Sequence, residues 1–242
     1  MEMSEKIIFL NEVTSTNIYA ANLCRNSEEL PFAVVADFQT EGSGRMGRKF
    51  HSPKGHGIYM TYILNTENAQ TLNLITSSAG LAVAEVLEKE CEIETEIKWP
   101  NDIILSDKKV CGILTKLITE NNKIKFALVG IGVNVSNEEN DFPEEIRDIA
   151  TSLKIETGKA FDRKNLTEKI VNNLNEIFLE KIYTEREIVE KLKKRSKLLG
   201  KKVFVKSENR EFFATDLSPD GGLVVLDGDE EKVIHSGEVE LY

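Results

Sequence analysis

The chain has little of what an exported, membrane-bound or nucleic-acid-coating protein carries. Cysteine occurs three times in 242 residues, as Cys24, Cys91 and Cys111. They lie far apart with no Cys-x-x-Cys pair, which speaks against a disulfide framework or a thiolate zinc site and suits buried thiols in a reducing compartment. Histidine is equally sparse, and His51, His56 and His235 have no spacing that suggests a metal site or a catalytic triad. No apolar run approaches the roughly 20 residues of a membrane span. Met1 to Lys6 is polar and the apolar stretch Ile7 to Leu10 is too short for a signal-peptide core, so the expectation is a cytoplasmic protein with no membrane partner. Positive charge is in deficit, 31 Lys and Arg against 41 Asp and Glu, a formal net charge of −10 that disfavours non-specific attraction to nucleic acid.

What is present is ample for one hydrophobic core and a small second domain: 40% hydrophobic and 30% charged residues in a chain of this length. The stretch from Asp37 to Tyr59, DFQTEGSGRMGRKFHSPKGHGIY, concentrates glycines and two arginines between apolar runs. Gly42, Gly44 and Gly47 are expected to take positive φ and turn backbone N–H groups toward an anion, with Arg45 and Arg48 adding guanidinium donors. The same glycines match G-x-G-x-x-G, but Ser52-Pro53, Gly55 and Gly57 follow too soon for the helix that a dinucleotide site needs. A flexible surface loop with solvated arginines stays open on composition alone.

Taken in order, Lys6 to Leu10 reads as a strand, Glu12 to Asn17 as a polar turn, and Ile18 to Leu23 as a short helix capped by Ser15 or Thr16. Strands are expected at Ala33 to Asp37 and Gly57 to Leu64, so the glycine loop bridges two strands. Thr71 to Glu90 has apolar residues at helical spacing. Glu94 to Trp99 reads as a strand that Pro100 ends and Asn101-Asp102 turns, leaving Lys98 to Asp102, KWPND, at a strand mouth, where either a ligand cleft or a capped structural turn fits. Ile103 to Leu105 pairs with Val110 to Ile118 across a turn, placing Lys109 at its exit. Ile124 to Val129 is a strand that Gly130 to Asn134 should end, and the Asn134 amide could read a base edge. Asn137 to Asp148 reads as a polar connection, and Asp162 to Tyr183 and Glu185 to Leu199 as helices. The basic residues Lys191, Lys193, Lys194, Arg195, Lys197, Lys201 and Lys202 read as a solvated helix face leading into a linker. Short strands separated by turn residues from Gly200 onward suggest a small barrel.

The glycine loop, KWPND, the KVCGIL segment from Lys109 to Leu114, the GIGVN segment and Ser15-Thr16-Asn17, in this order, resemble the catalytic domain of biotin protein ligases. The resemblance runs from about Ile7 to the end. It implies an α+β fold, a mixed sheet with helices packed on it of the class II synthetase-like type, as a catalytic domain over 1–195, followed by an SH3-like domain over 196–242. It also implies a reaction in two steps: biotin's carboxylate attacks the α-phosphate of ATP, and a lysine of a biotin carboxyl carrier protein then takes the acyl group from biotinyl-adenylate.

The roles it implies are specific. Ser15, Thr16, Asn17 and Gln39 lie at the biotin end; Ser43, Gly44 and Arg45 wrap the acid and the phosphate; Lys109 approaches both. Arg45, Arg48, Phe50, Lys98 and Asn134 belong to the ATP side, Asn134 at the adenine. Lys98 and Asp102 stand with Lys109 and Arg45 at the reaction centre, Asp102 orienting a lysine or Mg²⁺. The glycine loop is expected to close over the adenylate. Two positions depart from the family pattern: Ser43 stands where Arg is usual, and Phe50 where Trp is usual. Many members carry an N-terminal helix-turn-helix; none is expected here, so DNA is not an expected partner, whereas a homodimer through the central sheet is. A lipoate or octanoate ligase of the same fold is the nearest alternative, and a non-catalytic binding module or a nucleic-acid regulator are the others.

Overall fold

The computed structural model describes residues 7–26, 30, 32–65, 72–121 and 123–241. Lys6 and Thr71, expected at the start of a strand and a helix, lie outside the described residues, as does Tyr242. The elements are β1 (Ile7–Leu10), α1 (Thr16–Asn26), β2 (Ala33–Ala36), β3 (Gly57–Asn65), α2 (Leu72–Cys91), β4 (Glu96–Lys98), β5 (Asp102–Leu105), β6 (Lys108–Glu120), β7 (Lys123–Asn134), the short helices α3 (Glu144–Arg147) and α4 (Leu153–Thr157), α5 (Arg163–Asn175) and α6 (Glu185–Lys194). Five strands follow: β8 (Lys202–Val205), β9 (Arg210–Leu217), β10 (Leu223–Asp227), β11 (Glu230–Ile234) and β12 (Val239–Leu241).

Among the described residues, one sheet runs β1-β2-β3-β7-β6-β5-β4, antiparallel except for the β1/β2 pair. Residues two apart in a strand share a face, and both faces of this sheet are apolar. Met60, Tyr62, Leu64, Ala127, Val129, Ile131 and Val133 form the main core with α2 and α5, while Ile63, Phe126 and Leu128 pack with Val34 beneath Ala20 and Cys24 of α1. The α1 face of β7 therefore continues as Gly130, Gly132 and Asn134. Having no side chains of their own, those glycines let Asn17 and Phe50 lie close against the strand and leave a low floor on which a ligand can lie. The second sheet is antiparallel, ordered β11-β10-β9-β8-β12, and forms the SH3-like C-terminal domain.

Several expectations are corrected. The GIGVN segment is not a terminus but the last five residues of β7, because each of its residues is paired to β3, with Gly130 opposite Thr61 and Asn134 opposite Gly57. Asp102 does not turn the chain; it opens β5 opposite Lys98, and the turn is confined to Trp99–Asn101. The helix α6 ends at Lys194 rather than Leu199, since the backbone from Arg195 to Lys197 instead pairs with β4 through Ile97 N–H to the Arg195 carbonyl at 2.7 Å and Lys197 N–H to the Ile97 carbonyl at 3.0 Å.

The basic run is a solvated face only in part: Lys194, Lys201 and Lys202 are exposed as expected, and the other four are engaged. Lys191 meets Glu85 at 2.9 Å, Arg195 meets Glu88 at 2.7 Å, Lys193 meets Asp216 at 2.7 Å, and buried Lys197 bridges Glu96 at 2.7 Å and Asp107 at 2.6 Å. The acids that these cations answer sit on α2, β4, the β5–β6 turn and β9, far away in sequence. Burial pushes the Glu88 carboxyl up, but bonds from Arg195 and Thr95 outweigh it and leave the group below its ordinary value. No helix among the described residues is long and apolar enough to cross a membrane.

Candidate active site

A cavity of about 730 Å³ lies on the glycine floor, between the N-terminus of α1, the glycine loop, the β5–β6 hairpin and the start of β12. One end is uncharged. Ser15, Thr16 and Asn17 are buried there, and the Gln39 Oε1 accepts from the Thr16 backbone N–H at 2.9 Å, so a side chain from the neighbouring loop satisfies one of the free donors of α1. Gln39 Nε2 donates to Ser52 Oγ at 3.0 Å, and Thr61 Oγ1 donates to Thr16 Oγ1 at 2.9 Å and Asn17 Oδ1 at 3.2 Å. These bonds fix the positions of a set of polar groups before any ligand arrives. The amide of Asn17 lies against Gly130, so close that a Cβ there would stand 2.4 Å from Nδ2.

The glycine loop is folded rather than loose. Gly42 and Phe50 pair through Phe50 N–H to the Gly42 carbonyl at 2.8 Å, Gly44 N–H reaches the Arg48 carbonyl at 2.7 Å, and a 3-10 turn spans Arg45–Gly47. Of the three glycines expected at positive φ only Gly47, at +75°, adopts it, along with Met46 at +54°. Gly42 is required for another reason, since a Cβ there would meet the Phe50 carbonyl at 2.5 Å and Ser52 Oγ at 2.6 Å. The N–H groups of Gly44 and Arg48 are spent inside the loop, which leaves anion binding to the arginine side chains rather than to those amides.

Those side chains have partners that the sequence did not suggest. Arg45 donates to Asn101 Oδ1 at 2.9 Å and to the Gly237 carbonyl at 2.8 Å; Arg48 donates from both terminal nitrogens to Glu238, at 2.8 and 2.7 Å. Asn101 was visible within KWPND as an amide near the cleft, but Gly237 and Glu238 lie about 190 residues from the loop and carried no local signal. The Arg48 bonds, with help from the neighbouring Lys206, pull the Glu238 carboxyl down to about 2 and outweigh the opposing effect of burial.

On the far wall a bulge re-aims Lys109. Ile103 pairs with Cys111 while Ile104 pairs with Lys109, so one residue is gained on β6 between them. Lys109 is also held by its backbone, its N–H on the Ile149 carbonyl at 2.8 Å and its carbonyl under the Thr151 N–H at 2.9 Å. Its ammonium lies along Gly112 and stands 2.6 Å from Asp102 Oδ1, a charge contact without hydrogen-bond alignment. Lys98 lines the same cavity and makes no ion pair among the described residues. Cys111 is fully buried beside it, and burial pushes its thiol far up, which removes it as a nucleophile.

Phe50 covers Gly132, in edge-to-face contact with Tyr59 at 6.4 Å. Buried Asn134 donates from Nδ2 to the Thr151 carbonyl at 2.9 Å, so part of the amide expected at adenine holds the 149–151 segment instead. Trp99, the single tryptophan, is buried and donates to the Gly221 carbonyl at 2.8 Å, tying KWPND to the second sheet. The cavity thus gathers Ser15, Thr16, Asn17, Gln39, Ser43, Gly44, Arg45, Arg48, Phe50, Lys98, Asp102, Lys109 and Asn134 around one space. No group of three or more His, Cys, Asp or Glu side chains among the described residues could hold a metal by itself.

Comparison with known proteins agrees with this geometry. Residues 9–134 match the model of the biotin/lipoate A/B protein ligase family, and residues 198–242 that of the biotin protein ligase C terminal domain. A biotin protein ligase from Aquifex aeolicus, solved in complex with biotin and ATP, is similar over 98% of both chains at 36% identity with a TM-score of 0.83. The bifunctional ligase/repressor BirA of Bacillus subtilis is 39% identical over 170 residues, 70% of this chain and 52% of that protein. The biotin--[acetyl-CoA-carboxylase] ligase of Mycobacterium tuberculosis is 26% identical over 85% of this chain and 77% of its own. The chain spans about half the length of the BirA relatives that it matches.

Proposed function

This chain belongs to the biotin/lipoate A/B protein ligase family, and from that premise we propose that it is an ATP-dependent biotin protein ligase acting on a lysine of a biotin carboxyl carrier protein. The observation that carries the reading is the polarity of one cavity, which joins an uncharged hydrogen-bonding end to a cationic end across the glycines of β7. From Gly130, under Asn17, to Asn134 is four residues, about 13 Å at the rise of a strand. A neutral ureido ring fits the first end, where hydroxyls and amides are bonded into place. A triphosphate and its base fit the second.

Attack of a carboxylate on an α-phosphate brings like charges together, and the site must neutralise them where they meet. Lys109 is the group mounted for that task, anchored by its backbone on both sides and held by Asp102. As the carboxylate oxygen bonds to phosphorus, the bond to the pyrophosphate oxygen breaks and that charge leaves; Lys109, Lys98, Arg45 and Arg48 surround the space in which it does so. In the second step the acceptor amine bonds to the carbonyl carbon of the mixed anhydride and AMP departs. A closed glycine loop keeps water from doing the same.

The same reading includes Mg²⁺, a cytoplasmic location and a homodimer through the central sheet, with a domain boundary after Arg195. For Mg²⁺ Asp102 would be the protein ligand, the other carboxylates of the cavity, Asp107, Glu238 and Glu240, being paired with Lys197, Arg48 and Lys206, which suits an ion that takes most of its ligands from phosphate and water. Such an ion would supply further charge neutralisation at the phosphates. Biotin is favoured over lipoate by the relatives whose names specify a substrate, which name biotin. Exchange of labelled pyrophosphate into ATP, run with biotin, lipoate and octanoate, tests the reading without a carrier. Exchange with biotin alone supports it, exchange with lipoate moves the substrate, and no exchange with any of the three refutes adenylation.

A further inference from the structure

The glycine loop meets the C-terminal domain through a carboxylate that imitates what the loop is built to bind. Arg48 presents both terminal nitrogens to the two oxygens of Glu238 at 2.8 and 2.7 Å, the fork geometry that guanidinium offers to carboxylate and phosphate alike. One residue earlier, the Gly237 carbonyl takes a donor of Arg45. The acceptor side is rigidly mounted: Lys206 N–H bonds the Glu238 carbonyl at 3.0 Å, and Val239 to Leu241 pair with β8. The arginine side is not, since the Arg48 side chain is 65% exposed at the foot of a single 3-10 turn. An exposed ion pair of this kind is weak and exchangeable.

We propose that Glu238 is a resident anion for the loop: it holds Arg48 while the site is empty and yields it to nucleotide phosphate, so that this residue of the C-terminal domain sets how readily the site takes ATP. The inference rests on the assignment of Arg48 to the nucleotide. Glu238 is a positioning residue, acting through Arg48 and competing with the substrate for it. Because Arg48 holds its carboxyl well below the ordinary carboxylate range, the competitor is charged at neutral pH.

The direction of the effect separates this role from a structural one. Loss of a structural prop weakens nucleotide binding; loss of a competitor strengthens it. In biotin-dependent pyrophosphate exchange, Glu238→Gln should lower the KM for ATP by about two- to fivefold, the range of one exposed ion pair, and leave the KM for biotin unchanged. Arg48→Ala should raise the KM for ATP, and adding Glu238→Gln to it should change nothing further. Glu240→Gln removes a charge that also pairs with Lys206 but does not touch Arg48, so it controls for the general field and should leave the KM near that of the parent. A second readout needs no activity: with the site empty, trypsin should cut after Arg48 faster in Glu238→Gln than in the parent, and ATP should slow both. An ATP KM that rises or stays fixed in Glu238→Gln, or an unchanged cleavage rate, overturns the proposal while Arg48→Ala still raises the KM. An Arg48→Ala protein with an unaltered ATP KM removes the underlying assignment and the proposal with it.

Discussion

A single methyl group placed at Gly130 or at Gly132 distinguishes the two ends of the cavity floor. Neither glycine has a positive φ, so alanine is allowed by the backbone at both positions and any effect comes from the side-chain space above them. At Gly130 the new Cβ would stand 2.4 Å from Asn17 Nδ2, where about 3.5 Å is the normal contact, so the amide must retreat by about 1 Å. Asn17 is buried and accepts from Thr61 at 3.2 Å, and the retreat breaks that bond and misplaces the amide for a ligand. Losing one or two net hydrogen bonds of about 1 kcal/mol each predicts a biotin KM raised about five- to thirtyfold, with the ATP KM within about twofold of the parent. At Gly132 the methyl would meet two ring carbons of Phe50 at 2.4 Å, and the ring is backed edge-on by Tyr59. Phe50 must swing into the nucleotide end, which predicts the reverse pattern, a raised ATP KM and an unchanged biotin KM. The assay is steady-state pyrophosphate exchange with each substrate varied in turn, alongside a thermal melt to show that both variants are folded. Equal effects of either substitution on both constants, or effects on the wrong substrate, would refute the division of the floor.

Other expectations concern the cations and the domain junction. Lys109→Ala should abolish adenylate formation, a loss of at least about 10²-fold on removal of one preorganised charge, read as labelled AMP product in a single-turnover quench. Arg45→Ala should still form adenylate but release it, because its links to Asn101 and Gly237 that hold the loop down are gone; equal retention by variant and parent on a desalting column contradicts this. Trp99→Phe keeps one buried aromatic ring but loses part of the indole's volume and the bond to Gly221, which predicts about 2 kcal/mol of destabilisation and a Tm lower by about 4–8 °C. Glu238 has a folded-state pKa of about 2, below its ordinary value, so its contribution to stability is present above the ordinary pKa and lost as pH falls toward 2. The stability difference between parent and Glu238→Gln in urea should therefore be full at pH 7 and shrink between about pH 4.5 and 2; a constant difference rejects the ion pair as its source.

Where the sequence carried a period, the fold was legible. The unbroken apolar run of β3 and the helical spacing in α2 each report surfaces that must be buried, and both elements lie within a residue or two of their expected limits. The β5–β6 turn was equally readable, because Ser106 and Asp107 take the left-handed conformation that a tight hairpin demands. The misread elements are those where tertiary hydrogen bonds override local chemistry. Glycines usually end strands, yet Gly130 and Gly132 sit in the middle of the sheet with β3 on one side and β6 on the other, and a ladder completed on both sides holds them extended. A helical pattern continuing to Leu199 was cut at Lys194 because the exposed edge of β4 offered the backbone better partners.

The site divides along the same line. Its inward-facing members could be named because their side-chain types and spacing state a chemistry: hydroxyls and amides before a helix, arginines in a glycine loop, a lysine after a hairpin turn. What could not be read was which of these groups are already engaged. Asn134 and Gln39 look in the sequence like open donors and acceptors, yet the folded chain spends one amide on Thr151 and the other on Thr16 and Ser52. Arg48 looks like a solvated cation until β12 brings a carboxylate to it across 190 residues. Each such engagement has a cost that ligand binding must meet, since a donor taken from a protein acceptor gains only the difference between the two bonds. The affinity of this cavity is therefore set less by how many polar groups line it than by how weakly its present partners hold them, and the Arg48–Glu238 pair, whose guanidinium is largely exposed, is one that a phosphate can exchange.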